Sequence, residues 1–202
     1  MRATAWVVGL TLPLLLAARA ADDKSGVNEE GFCQRWLVLA PLPFAPNEGG
    51  GEALKREQVM GEARLKPKAG EKVKVGDKEL TWKEHTCPEH LLDFNAVLGG
   101  QTEDSVAYAV TFVVAPAELK GVKMKTGSDD QCKVYLNGQE VFQFADERSA
   151  DKDQDTTEVT LKKGVNVLVA KVVNVKVDWS FCVRFTDKDD KPLTNLKCRT
   201  AE

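Results

Sequence analysis

Between Gly127 and Lys171 the chain spells out two hairpin elements, and they restrict its fold more than any other stretch. Residues 127–138 read GSDDQCKVYLNG: an acidic loop, then Cys132, Val134 and Leu136 alternating with Lys133 and Tyr135, then Asn137-Gly138. Asn-Gly suits a type I′ turn because both central residues must take positive φ and both tolerate it. Residues 161–171, LKKGVNVLVAK, hold a strand end, a Lys-Lys-Gly turn and a long apolar strand. Both segments require antiparallel pairing through tight turns.

The same punctuation runs through the rest of the chain. Phe32 to Leu39 reads as a first strand, ended by Pro41, Pro43 and Pro46, which remove ladder donors. Ala53 to Met60 suits a short helix. Lys72–Val75 and Glu79–Lys83 flank a Gly76-Asp77 turn, and Leu91–Val97 is apolar before Gly99-Gly100. In Ser105–Val114 the side chains of Val106, Tyr108, Val110, Phe112 and Val114 share one face. Gly121–Thr126, Cys132–Leu136, Val141–Phe144, Glu158–Leu161, Val165–Val175 and Trp179–Phe185 follow as strands, with an acidic loop over 145–156. About nine or ten short strands with at most one short helix predict an all-β antiparallel β-sandwich, a single domain over 32–202.

The first 20 residues stand apart. Arg2 precedes an apolar run from Ala3 to Leu16, and Ala18-Arg19-Ala20 has the small-x-small form of a cleavage site. The segment therefore reads as a signal peptide cut after Ala20. Its run is shorter than the roughly 20 residues that span a bilayer, and no cysteine directly follows it to carry a lipid. The expected product is exported, periplasmic or extracellular, with no membrane insertion and a flexible polar leader over 21–31. Loss of Arg2 and Arg19 takes the formal charge from −3 to −5. That mild acidity, without a basic patch interleaved with aromatics, argues against a nucleic-acid partner.

Cysteines in an exported chain suggest disulfides, each typically worth about 2–4 kcal/mol. Cys33, Cys87, Cys182 and Cys198 are the candidates, and three of them (Cys33, Cys182, Cys198) lie near chain ends that a sandwich brings together. Cys132, in phase with Val134 and Leu136, is expected to be a buried free thiol. The total of five leaves at least one without an internal partner.

GSDDQCKVYLNG, LKKGVNVLVAKVVN and DWSFCVRFTD together resemble the galactose-binding-like jelly-roll superfamily. That superfamily includes the sugar-binding sandwich domains that stand beside glycoside hydrolases and recur in secreted bacterial proteins. The earlier WLVLAPLPF is similar to the W-apolar-apolar-G-P-F opening of such modules, with Ala40 replacing the glycine and Leu42 added before Pro43-Phe44. The likeness spans 32–187 and implies a jelly roll of the carbohydrate-binding-module kind. In that pattern Ser128-Asp129-Asp130 is the loop before a strand, and Leu136-Asn137-Gly138 the turn after it. Short Asp and Ser side chains brace irregular turns by bonding nearby backbone groups. Gly164 turns the chain, and Asn166 is placed to satisfy loop backbone groups. These roles are constructional first, with ligand contact by Asp129 and Asp130 as the alternative.

No catalytic apparatus is visible: there is no G-x-S-x-G elbow, H-E-x-x-H helix or phosphate-cradling glycine loop. The expectation is a protein that is not an enzyme. His85, Cys87 and His90 are zinc-type ligands within six residues, at a spacing that matches no standard finger. Asp151, Asp153 and Asp155 alternate as in a calcium loop, but Thr156 and Lys162 stand where an EF-hand needs Gly and Glu. Asp187, Asp189 and Asp190 form a second acidic turn and are the candidate ligands of a structural calcium.

Trp36, Trp82, Tyr135 and Trp179 are the aromatics most relevant to sugar binding, since a flat ring covers the apolar face of a pyranose, and Trp36, Trp82 and Tyr135 are the candidate platforms. Tyr135 alternates against Cys132 and Val134, so it is expected to be exposed. Trp179 keeps phase with Phe181, Val183 and Phe185, so it is expected in the core. The leading expectation is a secreted non-catalytic module that binds a glycan or polysaccharide through end loops or an exposed aromatic. The alternatives are a structural or protein–protein interaction module of the cell envelope, and an accessory subunit of a separately encoded hydrolase.

Overall fold

The structure is a computed structural model that describes residues 26–202. The expected signal peptide and residues 21–25 of the expected leader lie outside the described residues. From Gly26 to Gly31 the chain is packed rather than a flexible leader. Val27 pairs with Cys33, and the Asn28 side chain accepts the backbone N–H groups of Glu30 and Phe32.

Among the described residues the elements begin with β1 (Arg35–Pro43), α1 (Gly50–Lys55) and a 3₁₀ turn (Glu62–Arg64). Next come β2 (Lys72–Val75), β3 (Lys78–Thr81), β4 (Lys83–Thr86), β5 (Leu92–Asp93) and α2 (Phe94–Leu98). The long strands are β6 (Ser105–Ala115), β7 (Leu119–Asp129) and β11 (Gly164–Asn174), with β8 (Cys132–Leu136), β9 (Gln139–Phe144) and β10 (Asp155–Leu161) between the last two. β12 (Ser180–Thr186) and β13 (Lys197–Arg199) complete the chain.

The fold is an all-β antiparallel sandwich. One sheet runs β4-β1-β6-β11-β8-β9, with β13 pairing β6 past the start of β1. The second runs β10-β7-β12-β5, and β2-β3 is a separate hairpin. Sequence reasoning missed β4, β5 and β13, which are two to four residues long and carry no turn signal of their own.

Two apolar cores result. Between the sheets, Ala107, Ala109 and Val113 of β6 and Leu168, Ala170 and Val172 of β11 meet Met124, Phe181, Val183 and Phe185 of the smaller sheet. On the outer face of the larger sheet, Tyr108, Val110, Phe112, Tyr135 and Val169 pack under Leu54, Val59 and Trp82. Residues 45–82 thus cover a face that an ordinary sandwich leaves wet. Burial on both faces explains why β6 and β11 are near-continuous apolar runs rather than alternating ones.

The turns follow the residue chemistry. Asn137 and Gly138 have φ of 54° and 82°, as the type I′ reading requires. Asn166 accepts the Lys162 N–H at 2.8 Å and donates to the Lys162 carbonyl at 2.8 Å, bracing the Lys-Lys-Gly turn from inside. One expectation fails at the prolines. β1 does not end at Leu39 but continues to Pro43, with a register shift between Leu39 and Leu42. An irregularity of this kind lets a strand carry proline where the regular ladder would need its N–H. The expected helix over Ala53–Met60 is likewise replaced by α1 and the 3₁₀ turn.

Candidate functional site

In the smaller sheet, Ser180 of β12 stands opposite Asp129 of β7 on one side and Asp93 of β5 on the other. Paired strands lie about 4.8 Å apart, so this row sets Asp93 and Asp129 roughly 10 Å apart across the sheet end. Asp178 comes from the β11–β12 turn, and Trp179 enters β12 beside it. Together with Asn95 of α2 these residues line a cleft of about 290 Å³, at the small end of ligand pockets.

Each wall has a local cause. Asp93 caps α2, its Oδ1 accepting the Ala96 N–H at 3.0 Å, while Gly99 closes that helix in the left-handed conformation. Trp179 accepts the Phe94 N–H through its carbonyl at 2.9 Å and packs its ring on Phe94 with centroids 5.0 Å apart. The third wall, Ser149-Ala150, belongs to the loop between β9 and β10. Arg148 holds that loop by donating to Ser128 Oγ at 3.0 Å and Asp155 Oδ2 at 2.5 Å, with its guanidinium 3.7 Å from the Phe144 ring centroid. Gln154 fastens the same loop, accepting the Ser128 N–H and donating to the Ser149 carbonyl.

Two of the residues that border the cleft carry unsettled polar groups. Trp179 is 1% exposed, and its Nε1 is one of three buried side-chain polar atoms among the described residues without a hydrogen-bond partner. Asp129 is 7% exposed. Burial, then the nearby charges of Asp130 and Asp178, push its pKa up to about 6, opposed by the Ala150 N–H that donates to it. An unfolded aspartate loses its proton near pH 3.8. The native state therefore holds a proton that the unfolded state has lost, and stability falls as pH rises from about 4 through 6. Asp129→Asn removes that penalty. Allowing for water in the cleft, it should stabilise the protein by about 1–2 kcal/mol at pH 7.5 and by almost nothing at pH 3.5, measured by urea unfolding at both.

The cleft also depends on a close approach. A Cβ on Gly127 would lie 1.9 Å from the Asp151 carbonyl oxygen, adjacent to Ala150. Gly127→Ala must push that loop outward, and overpacking of this kind costs about 1–3 kcal/mol. The expected result is a lower unfolding midpoint in urea, with the Ser149-Ala150 wall displaced.

Of the ligand-contact candidates taken from the sequence, Asp129 reaches the cleft; Trp179, expected in the core, also borders it. Asp130 instead accepts the Val175 N–H at 2.9 Å through its Oδ2 and braces the strand end. Ser128 Oγ donates to the Asp130 carbonyl at 2.8 Å in the same constructional role. The aromatic platforms are corrected. Trp36 is sealed in the inner core, its Nε1 donating to the Cys33 carbonyl at 3.1 Å, and Trp82 lies in the outer core. Tyr135 does point away from Cys132 and Val134, but residues of the 3₁₀ turn cover it and its hydroxyl donates to Glu62 Oε1 at 2.6 Å. Alternation set its face correctly; the second core buries that face.

The disulfides are corrected as well. Cys33, Cys87, Cys182 and Cys198 are buried free thiols, as is Cys132. Cys33 and Cys198 do come together as the chain ends converge, in hydrogen-bonding contact, and the Cys33 thiol is pushed up by that contact and by burial. Burial holds Cys87 and Cys182 at about 12 and Cys132 at about 11, so all are poor nucleophiles that serve as small core side chains.

The acidic turn is committed elsewhere. Asp187 Oδ1 accepts the N–H groups of Asp189 and Lys191, and Asp189 meets Lys188 at 3.0 Å. Asp190 pairs with Lys125 at 2.8 Å and Lys123 at 2.9 Å, which hold its carboxyl at about 2. His90 packs its ring against Phe32. Among the described residues, no three His, Cys, Asp or Glu side chains form a group that could hold a metal ion.

What sequence reasoning missed is the cleft's other lining, Asp93, Asn95, Asp178 and Ser180. Trp179 is in the core as expected, but one edge of that core is the cleft wall. No family model, curated protein or solved structure matches this chain.

Proposed function

We propose that the chain is an exported, non-catalytic module that holds a glycan in the cleft between Asp129 and Trp179. The observation that supports this reading is a cleft of about 290 Å³ bordered by Trp179 and lined by three carboxylates, two serine hydroxyls and an amide. Such a set of acceptors suits a sugar, whose hydroxyls donate to the carboxylates while the serine and amide groups fix its orientation. The resemblance to galactose-binding-like jelly rolls favours the same function. With Trp36, Trp82 and Tyr135 buried, the binding surface is assigned to the end loops alone.

Calorimetric titration of the protein against neutral, acidic and amino-sugar oligosaccharides tests the reading. Saturable heat that is lost in Asp178→Ala, which removes a lining carboxylate from an exposed turn, is the expected result. Absence of heat with every glycan, in calcium and in chelator, removes it. A single stoichiometric protein captured from the exported fraction in its place would make the chain an interaction module of the envelope.

A further inference from the structure

Away from the cleft, the outer core seals one amine against one carboxyl. Lys171 is the single charged residue of β6 and β11, and its side chain is fully buried. Glu62, 6% exposed, reaches it from the 3₁₀ turn, with Nζ and Oε2 3.0 Å apart. We propose that in the folded protein these two side chains condense into an intramolecular amide between Lys171 Nζ and Glu62 Cδ. Residues 62 and 171 are thus a modification site that ties the covering segment covalently to β11. This inference stands apart from the glycan reading and uses none of its residues.

The step is a dehydration and needs no other reactant. The Nζ–Cδ bond forms and the Cδ–Oε2 bond breaks. One ammonium proton stays on the amide nitrogen, and the other two leave with Oε2 as water. Nothing is oxidised or reduced. The ion pair is the reactant, and the amide accumulates after folding.

Both partners are prepared for it. Attack needs the amine without its extra proton. Burial lowers the Lys171 pKa and the charges of Lys133 and Arg56 lower it further, while Glu62 opposes them. The Arg56 carbonyl accepts from Nζ at 2.6 Å and fixes its position. On the carboxyl, the Tyr135 hydroxyl donates to Oε1 at 2.6 Å and the Tyr108 hydroxyl donates to Oε2. A donor at Oε1 stabilises the charge of the tetrahedral intermediate, and one at Oε2 is placed to relay a proton to the departing oxygen. Burial, with Glu62 beside them, pushes both tyrosine hydroxyls up, so both remain donors.

The energetics favour the same outcome. In water, hydration of the ions opposes condensation, but here both have lost most of it, and an amide removes two buried charges at once. The fixed contact also replaces a bimolecular encounter, and well-oriented groups reach effective molarities of about 10⁵–10⁸ M.

Intact-mass spectrometry of the purified protein, fresh and after a week at pH 8.5, tests the proposal. The mass should fall below that calculated from its own N-terminus by one water. Tryptic digestion should then yield residues 57–64 joined to residues 164–176, because trypsin does not cut after an acylated Lys171. Tyr135→Phe keeps the ring and should slow the loss of water about tenfold or more. Lys171→Met should abolish it; if that variant fails to fold, the peptide map of the unaltered protein decides alone. An unchanged mass after the week overturns the proposal, and so does a lost water that maps to any other pair of peptides.

Discussion

Replacing Glu62 by alanine should destabilise the protein by about 3–5 kcal/mol, mostly through what the substitution leaves behind. Glu62 reaches from the 3₁₀ turn to the outer face of the larger sheet. Its Oε2 accepts from the fully buried Lys171 Nζ at 3.0 Å and from the Tyr108 hydroxyl, and its Oε1 from the Tyr135 hydroxyl at 2.6 Å. Lys171 Nζ also donates to the Arg56 carbonyl at 2.6 Å, so one ammonium ties both ends of the 56–62 segment to β11. Burial lowers the Lys171 pKa while Glu62 opposes that shift. Without the carboxylate, the ammonium keeps only the Arg56 carbonyl and the Tyr135 hydroxyl loses its acceptor, while Tyr108 retains Gln58 Oε1 at 2.9 Å. Urea unfolding of Glu62→Ala measures the loss. The double variant Glu62→Leu with Lys171→Met is the control: it removes both charges and should recover most of the stability, as exchange of a buried pair for apolar side chains commonly does. A loss below about 1 kcal/mol in Glu62→Ala would mean that the segment is held by its apolar contacts alone.

That cluster also marks where the sequence stops being legible. Turn chemistry is local, so Asn137-Gly138 and the Asn166 brace could be read from neighbouring residues. Strand phase is local too, and the inward set of Cys132, Val134 and Leu136 is the inner core set. What covers the opposite face is not local. The clue was present: Ala107, Ala109 and Val113 alternate with Val106, Tyr108 and Val110, so β6 has no polar face, and Lys171 interrupts an equally apolar β11. A strand apolar on both faces needs two covers. The second cover is a stretch of loops, a short helix and a charged hairpin whose own residues do not announce a packing role. The cleft was illegible for a related reason. Asp93, Asp129 and Ser180 are distant in sequence and meet only through the register of β5, β12 and β7. Register follows from which residues pack between sheets, which no single segment states.

Trp36→Ala should cost about 3–5 kcal/mol and leave the proposed glycan binding per folded molecule unchanged. The ring is 1% exposed, meets Phe181 edge-on with centroids 6.0 Å apart, and fills the layer between β1 and β12. Alanine would leave a large void between two sheets that cannot close independently, because β1 is tied to β4 and β6 while β12 is tied to β5 and β7. It would also orphan the Cys33 carbonyl, which accepts the indole N–H. A platform tryptophan behaves in the opposite way: its loss abolishes binding and scarcely moves the unfolding midpoint. Denaturant unfolding combined with calorimetry on the folded fraction separates the two. Trp179→Phe belongs beside it, because Trp179 shares the inner core but borders the cleft. There the stability loss should be smaller, because phenylalanine keeps a ring against Phe94 within the inner core. A loss of affinity in Trp36→Ala with unchanged stability would place the binding surface on β1 and away from the strand ends.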